Sequence, residues 1–131
     1  MLFTTLFTAT LASLAAASPR KAATPDASCS RKSTDTGSGA YEALKGFCSH
    51  DNINMRSSYA TKGVVAGGIF GTAHAYISMK NCPAQLGLLS TADCTAAFLD
   101  ACSKGDKMGY GTSRWNAGDA KGCLYFNVEA K

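Results

Sequence analysis

Gly63-Val64-Val65-Ala66-Gly67-Gly68-Ile69-Phe70-Gly71-Thr72-Ala73-His74-Ala75-Tyr76-Ile77-Ser78-Met79-Lys80 carries the strongest strand signal in the sequence. Gly63 to Phe70 is apolar and β-branched, Gly71-Thr72 supplies a turn, and Ala73 to Lys80 alternates with a period of two. Ala73, Ala75, Ile77 and Met79 are then expected to face a core, with His74, Tyr76, Ser78 and Lys80 on the opposite side. Gly67 and Gly68 mark a bulge or a close approach of another backbone. They do not form a phosphate loop, because neither the Gly-x-x-x-x-Gly-Lys-Ser/Thr spacing nor a following helix is present.

On the C-terminal side, Ser90 caps a helix with Asp93 as its capping-box partner. Cys94, Ala97, Phe98, Ala101 and Cys102 form its buried stripe, and Gly105 closes it. A glycine-rich loop from Gly105 to Gly122 leads to a last strand. There Leu124, Phe126, Val128 and Ala130 point one way, and Tyr125, Asn127 and Glu129 the other. On the N-terminal side, Tyr41, Leu44, Phe47 and Cys48 share one face of a helix starting near Ser38, with Glu42 and Lys45 opposite. The polar run His50 to Ser58 ends that helix. A short strand is expected over Cys29 to Ser33, after a disordered lead-in at residues 18–28. Strand, helix, strand, strand, helix, strand is the order of an α+β, split βαβ (ferredoxin-like) domain, with one antiparallel sheet and two helices on one face.

The N-terminus reads as an export signal. Leu2 to Ala17 contains no charged residue and ends in Ala15-Ala16-Ala17, small residues suited to a signal peptidase. Cleavage after Ala17 exposes Ser18, whereas cleavage one residue later puts Pro19 beside the scissile bond. The apolar run is short of the roughly 20 residues that cross a bilayer. Residues 1–17 are thus a signal peptide, and residues 29–131 the domain, with no membrane span. Arg20-Lys21 reads as a solvated basic pair, with a propeptide processing site as the alternative.

All 6 cysteines (Cys29, Cys48, Cys82, Cys94, Cys102 and Cys123) follow the cut, which implies a disulfide framework. No Cys-x-x-Cys pair exists and His50 and His74 lack ligand spacing, so no metal or other cofactor is expected. In the split βαβ arrangement Cys102 and Cys123 share one end of the sheet, while Cys29, Cys48, Cys82 and Cys94 gather at the other. Pairing of Cys29 with Cys82 and of Cys48 with Cys94 follows from that placement. The net charge of +4 is scattered rather than clustered, so no nucleic-acid partner is expected. A monomer without N-glycosylation is expected, since no Asn-x-Ser/Thr sequon occurs.

Residues able to support chemistry are few. His50, His74, Glu42, Glu129 and Arg114 are the residue types of a ribonuclease-like acid–base set, but His74 falls on a strand and His50 after a helix. No serine lies in a Gly-x-Ser-x-Gly elbow, and paired cysteines leave no free thiol. The long loop offers more. Lys107 to Asn116 holds Tyr110, Arg114 and the single Trp115, the residue types that stack on sugars and dominate interface hot spots. The alternative is that Trp115 closes a thin core. The row His74, Tyr76, Ser78, Lys80 is a second candidate surface, or a plain solvated face.

Ala43-Leu44-Lys45-Gly46-Phe47-Cys48, Asn81-Cys82, Ser90 to Cys102 and Gly122-Cys123-Leu124-Tyr125-Phe126 together resemble small secreted fungal proteins of the killer-toxin-like α/β group. That group includes virally encoded smut toxins, plant-pathogen effectors and domains appended to chitinases. Its frequent Gly-Gly pair before the last strand is replaced here by single glycines (Gly109, Gly111, Gly118). The resemblance spans roughly residues 38–130 and transfers no active-site residues. It implies a secreted, cysteine-rich protein directed at a host or competitor, a virulence factor or toxin without enzymatic activity. The rival expectation is a carbohydrate-binding module that reads chitin or another wall glycan through Tyr110 and Trp115. A small secreted ribonuclease is the third.

Overall fold

The computed structural model describes residues 24–115 and 122–131; the expected signal peptide and residues 18–23 of the expected lead-in lie outside them. The described chain begins with helix α1 (Pro25–Thr36), where a strand over Cys29–Ser33 was expected. The local chemistry is that of a helix. Thr24 Oγ1 accepts from Ala27 N at 3.1 Å, Pro25 occupies the first turn, and Gly37 ends the helix at φ 64. Pro25 to Ser28 therefore belong to the domain and not to a disordered lead-in. Only Cys29 and Ser33 of α1 are buried, too little apolar content to register as a periodic stripe.

Helix α2 (Ala40–Phe47) follows after Gly37-Ser38-Gly39 and buries Ala40, Ala43, Leu44 and Phe47; Leu44, Phe47 and Cys48 face the core as expected, but Tyr41 is half-buried at the edge, with Lys45 over its ring and its hydroxyl on Asp26. Its first N–H groups are satisfied by serines upstream: Ser38 Oγ accepts from Ala40 N and Ser33 Oγ from Tyr41 N. The polar run after it holds two elements without a pattern of their own. These are a two-residue strand β1 (Ile53–Asn54) and a short helix α3 (Ser58–Lys62).

Strands β2 (Val64–Gly67) and β3 (Thr72–Met79) form the expected hairpin, with Val64 opposite Ala75 and Gly67 opposite Thr72. The turn is Gly68–Gly71 rather than Gly71-Thr72. Strand β4 (Leu88–Leu89) pairs with β1. Helix α4 (Thr91–Lys104) has Ser90 Oγ accepting from Asp93 N at 3.1 Å, with Cys94, Ala97, Phe98, Ala101 and Cys102 buried as expected. Strand β5 (Gly111–Trp115) lies inside the expected loop and pairs antiparallel with β6 (Leu124–Ala130).

The sheet order is β2-β3-β6-β5, every neighbour antiparallel. Two hairpins flank α4 and meet at β3 and β6. This α+β arrangement departs from the split βαβ order, because the segment read as its first strand is α1 and an extra strand, β5, closes the far edge. Helices α2 and α4 cover one face: Phe47, Phe98 and Phe126 pack in sequence with ring centroids 4.9 and 5.1 Å apart. Ala73, Ala75, Ile77, Leu124 and Val128 complete that core.

The disulfides are Cys29–Cys102, Cys48–Cys94 and Cys82–Cys123. Cys48–Cys94 agrees with expectation; the other two correct it. With α1 a helix lying along α4, Cys29 comes to Cys102 at a Cα separation of 5.4 Å. Because β3 and β6 are antiparallel neighbours, the end of one adjoins the start of the other. Lys80 N donates to Cys123 O at 3.0 Å, and Cys82 lies just beyond. The division into four cysteines at one end and two at the other does not hold.

Candidate functional site

The three residues expected to bind together are placed apart. Arg114 and Trp115 are consecutive on β5 and so point to opposite faces of the sheet. Arg114 lies on the helix-free face, its guanidinium 5.8 Å from the Tyr125 ring centroid and its Nε donating to Gly122 O. Trp115 turns to the core face and meets Phe126 edge-on at 6.4 Å. Tyr110 precedes β5 at its other end, about 16 Å away along the strand. Burial raises the pKa of its hydroxyl, as does Asp106 beside it, while Ser38 acts in the opposite direction.

Asp100 organises the environment of Trp115. Its carboxylate accepts from Ser113 Oγ at 2.5 Å and from Lys104 Nζ at 2.9 Å. Partial burial raises its pKa, but hydrogen bonds from Ser113, Lys104 and the Trp115 indole outweigh that and hold it below the ordinary carboxylate value. This joins α4 to β5. Neither histidine lies beside the Ser113–Asp100 pair: His50 packs on Tyr59 and His74 on Tyr76.

On the open face, polar groups satisfy one another. Tyr76 donates to Glu129 Oε2 at 3.0 Å and stacks on His74 at 4.6 Å. Asn127 bridges Ser78 and Thr112, each at 3.0 Å. Burial, then Glu129, raises the Tyr76 pKa. His74 Nε2 lies 2.6 Å from Lys62 O, while the His50 ring stands edge-on to Tyr59 at 5.2 Å. The two histidines thus serve different neighbourhoods. Glu42 accepts from Ser33 Oγ at 3.2 Å, a third place in the fold.

The β2–β3 turn was not singled out as a surface by the sequence, yet it is the most conspicuous one. Ile69 and Phe70 are 82% and 80% exposed. The backbone beneath them is fixed: Phe70 N donates to Gly37 O at 3.0 Å and Gly68 N to Gly71 O at 2.6 Å. A Cβ on Gly68 would lie 2.1 Å from Gly37 O, and one on Gly39, at φ 82, would lie 2.6 Å from Ala66 O. Glycines on both sides let the two backbones touch, the close approach that Gly67-Gly68 signalled. The sequence clue was an apolar run too long for a four-residue strand.

At the far end of α2, His50, Asp51, Asn52, Ile53, Asn54, Ser57 and Tyr59 surround an open depression of about 340 Å³. Asp51 Oδ1 accepts from Thr91 N and Oγ1, each at 3.2 Å, pinning this loop to the start of α4. Burial raises the Tyr59 pKa, and its hydroxyl donates to Phe47 O at 2.8 Å.

Among the described residues no group of three His, Cys, Asp or Glu side chains is placed to hold a metal ion, and no helix is long and apolar enough to cross a membrane. The chain matches no known protein family, no curated protein and no solved structure.

Proposed function

We propose that this is an exported, non-enzymatic protein that acts outside the producing cell by binding a protein target, in the manner of an effector or toxin. The observation that carries the reading is the Ile69–Phe70 tip. Two consecutive large apolar side chains stand about four-fifths exposed on a turn whose backbone is hydrogen-bonded to Gly37. Exposed apolar groups of this kind mark contact surfaces, and a rigid presentation lowers the ordering cost of binding. Three disulfides suit an oxidising compartment, and the N-terminal apolar run with its Ala15-Ala16-Ala17 terminus supplies the export route. The resemblance to killer-toxin-like secreted fungal proteins points the same way.

The glycan reading through Tyr110 and Trp115 has less support, because these rings occupy opposite ends of β5 and Trp115 packs on Phe126. The ribonuclease reading has less still, with His50, His74 and Glu42 in separate neighbourhoods.

The test uses labelled, oxidised protein on intact host or competitor cells. Saturable binding is expected to be lost on mild protease treatment of the cells and to fall at least tenfold in Ile69→Ser/Phe70→Ser. Binding that survives both treatments refutes a protein target at the tip.

A further inference from the structure

We infer that the free edge of β2 joins two copies of this chain in solution, β2 against β2 across a two-fold axis. β2 is the outer strand of the β2-β3-β6-β5 sheet. Gly68 N donates to Gly71 O at 2.6 Å, which makes Gly68–Gly71 a hydrogen-bonded pair. Bonded and non-bonded pairs alternate along an antiparallel ladder. Ala66–Ala73 and Val64–Ala75 are therefore bonded pairs, and Gly67–Thr72 and Val65–His74 are not. The far side of β3 agrees, since Thr72 O turns toward β6 and accepts from Lys131 N at 2.9 Å. Val65 and Gly67 consequently direct their N–H and C=O groups away from the sheet. Among the described residues no group pairs with them.

Nothing blunts this edge. Gly63 to Ala73 contains neither a charged residue nor a proline, the residues by which edge strands avoid pairing. Val65 is 45% exposed, and Gly67 beside it is exposed and has no side chain to obstruct an incoming strand. The opposite edge differs: β5 carries the exposed Arg114.

A second copy fits because the edge is complementary to itself. Two strands placed antiparallel about Ala66 set Val65 opposite Gly67 of the second copy, and Gly67 opposite its Val65. About four hydrogen bonds then form between the outward groups. The contact consumes both edges, so it closes as an isologous dimer rather than extending into a filament. Helix α2 adds area to the joint. It packs on β2 and β3 alike, so its axis lies about one strand spacing from the two-fold. Its mate is then about 10 Å away, the separation at which helices pack. The exposed residues of α2 include both Glu42 and Lys45, so the approaching helices are not of one sign.

The dimer goes beyond the target-binding reading and does not rest on it. Ile69 and Phe70 follow the last outward-facing residue of β2, so the two tips stand at opposite ends of the joint, each about 10 Å along the strand from the axis. The protein thereby becomes bivalent toward whatever the tip binds. It also departs from the monomer expected of the sequence, because which strand lies at an edge is a matter of tertiary pairing.

The experiment has two readouts on the oxidised protein between about 10 μM and about 1 mM. Sedimentation velocity should show a monomer–dimer equilibrium with half-dimerisation near about 100 μM, as suits a small interface. Amide hydrogen exchange followed by NMR locates the joint. In dilute solution Val65 and Gly67 should exchange rapidly while Ala66, bonded to Ala73, exchanges slowly; at the highest concentration Val65 and Gly67 should slow by about fivefold. Val65→Lys sets a cation on each edge, and Val65→Pro removes only the outward N–H. Each should weaken dimerisation at least tenfold, with the dilute melting temperature of Val65→Lys within about 2 °C of the parent. Ile69→Ser/Phe70→Ser should still dimerise. A monomer at every concentration overturns the inference and leaves the edge to an extended segment of another chain. Dimers that persist in both Val65 variants, or that leave the Val65 and Gly67 amides unprotected, overturn it as well.

Discussion

Removing Cys29–Cys102 by the double change Cys29→Ala/Cys102→Ala tests the packing of α1 on α4 directly. This bridge spans 73 residues of sequence, but it encloses Cys48–Cys94, which short-circuits 46 of them. With that inner bridge intact, the loop released in the unfolded chain is roughly 27 residues, and its closure entropy corresponds to about 3.5 kcal/mol at 25 °C. Both sulfurs are fully buried, so the vacated space adds to the cost. Part of the interface survives the change. Lys32 Nζ still donates to Ser103 O at 2.6 Å and Gly105 O at 3.0 Å, carbonyls at the open end of α4. The variant is therefore expected to fold, with its melting temperature lower by about 15–25 °C. Urea denaturation under non-reducing conditions, alongside peptide mapping of the parent, measures both parts. A loss below about 1 kcal/mol, or a map joining Cys29 to Cys82, would falsify the placement of α1.

Two further perturbations probe the elements that shape the surfaces. Gly68→Ala sets a methyl 2.1 Å from Gly37 O and should cost about 2–4 kcal/mol by forcing the β2–β3 turn off the α1–α2 link, read by thermal denaturation; a neutral result would show that the turn is not seated there. Asp100→Asn should change the acid limb of stability. A carboxylate whose pKa is lowered in the folded state stabilises the protein above the unfolded value of 3.8, and that contribution is lost as pH falls through the folded pKa. The parent should therefore lose its advantage over Asp100→Asn on acidification below about pH 4, and parallel stability curves across that window would count against the Ser113–Asp100–Lys104 linkage.

Legibility of the fold followed apolar periodicity. The stripe of α4, the buried face of α2 and the alternation along β3 and β6 were all readable, since each element buries one side chain row against the same core. Helix α1 was missed because its burial rests on one cysteine and one serine, although Thr24-Pro25-Asp26 and Gly37 carried its start and stop signals. Strand β5 was missed because Gly111-Thr112-Ser113-Arg114-Trp115 has no apolar alternation; its place is set by pairing with β6. Misreading α1 as a strand then propagated into the sheet order and two of the three disulfides.

For function, the sequence alone specified an N-terminal segment of signal-peptide character, six cysteines in a small domain and the absence of a catalytic motif. Those are properties of composition and spacing, which need no coordinates. The tertiary structure decided which cysteines meet, because that depends on how helices and strands lie across one another. It also separated Arg114 from Trp115 by the simple alternation of a strand no one-dimensional pattern announced. And it turned Ile69 and Phe70, which read as strand interior, into an exposed tip, because glycines at 37, 39 and 68 let two backbones close up beneath them and left those side chains nowhere to go but outward.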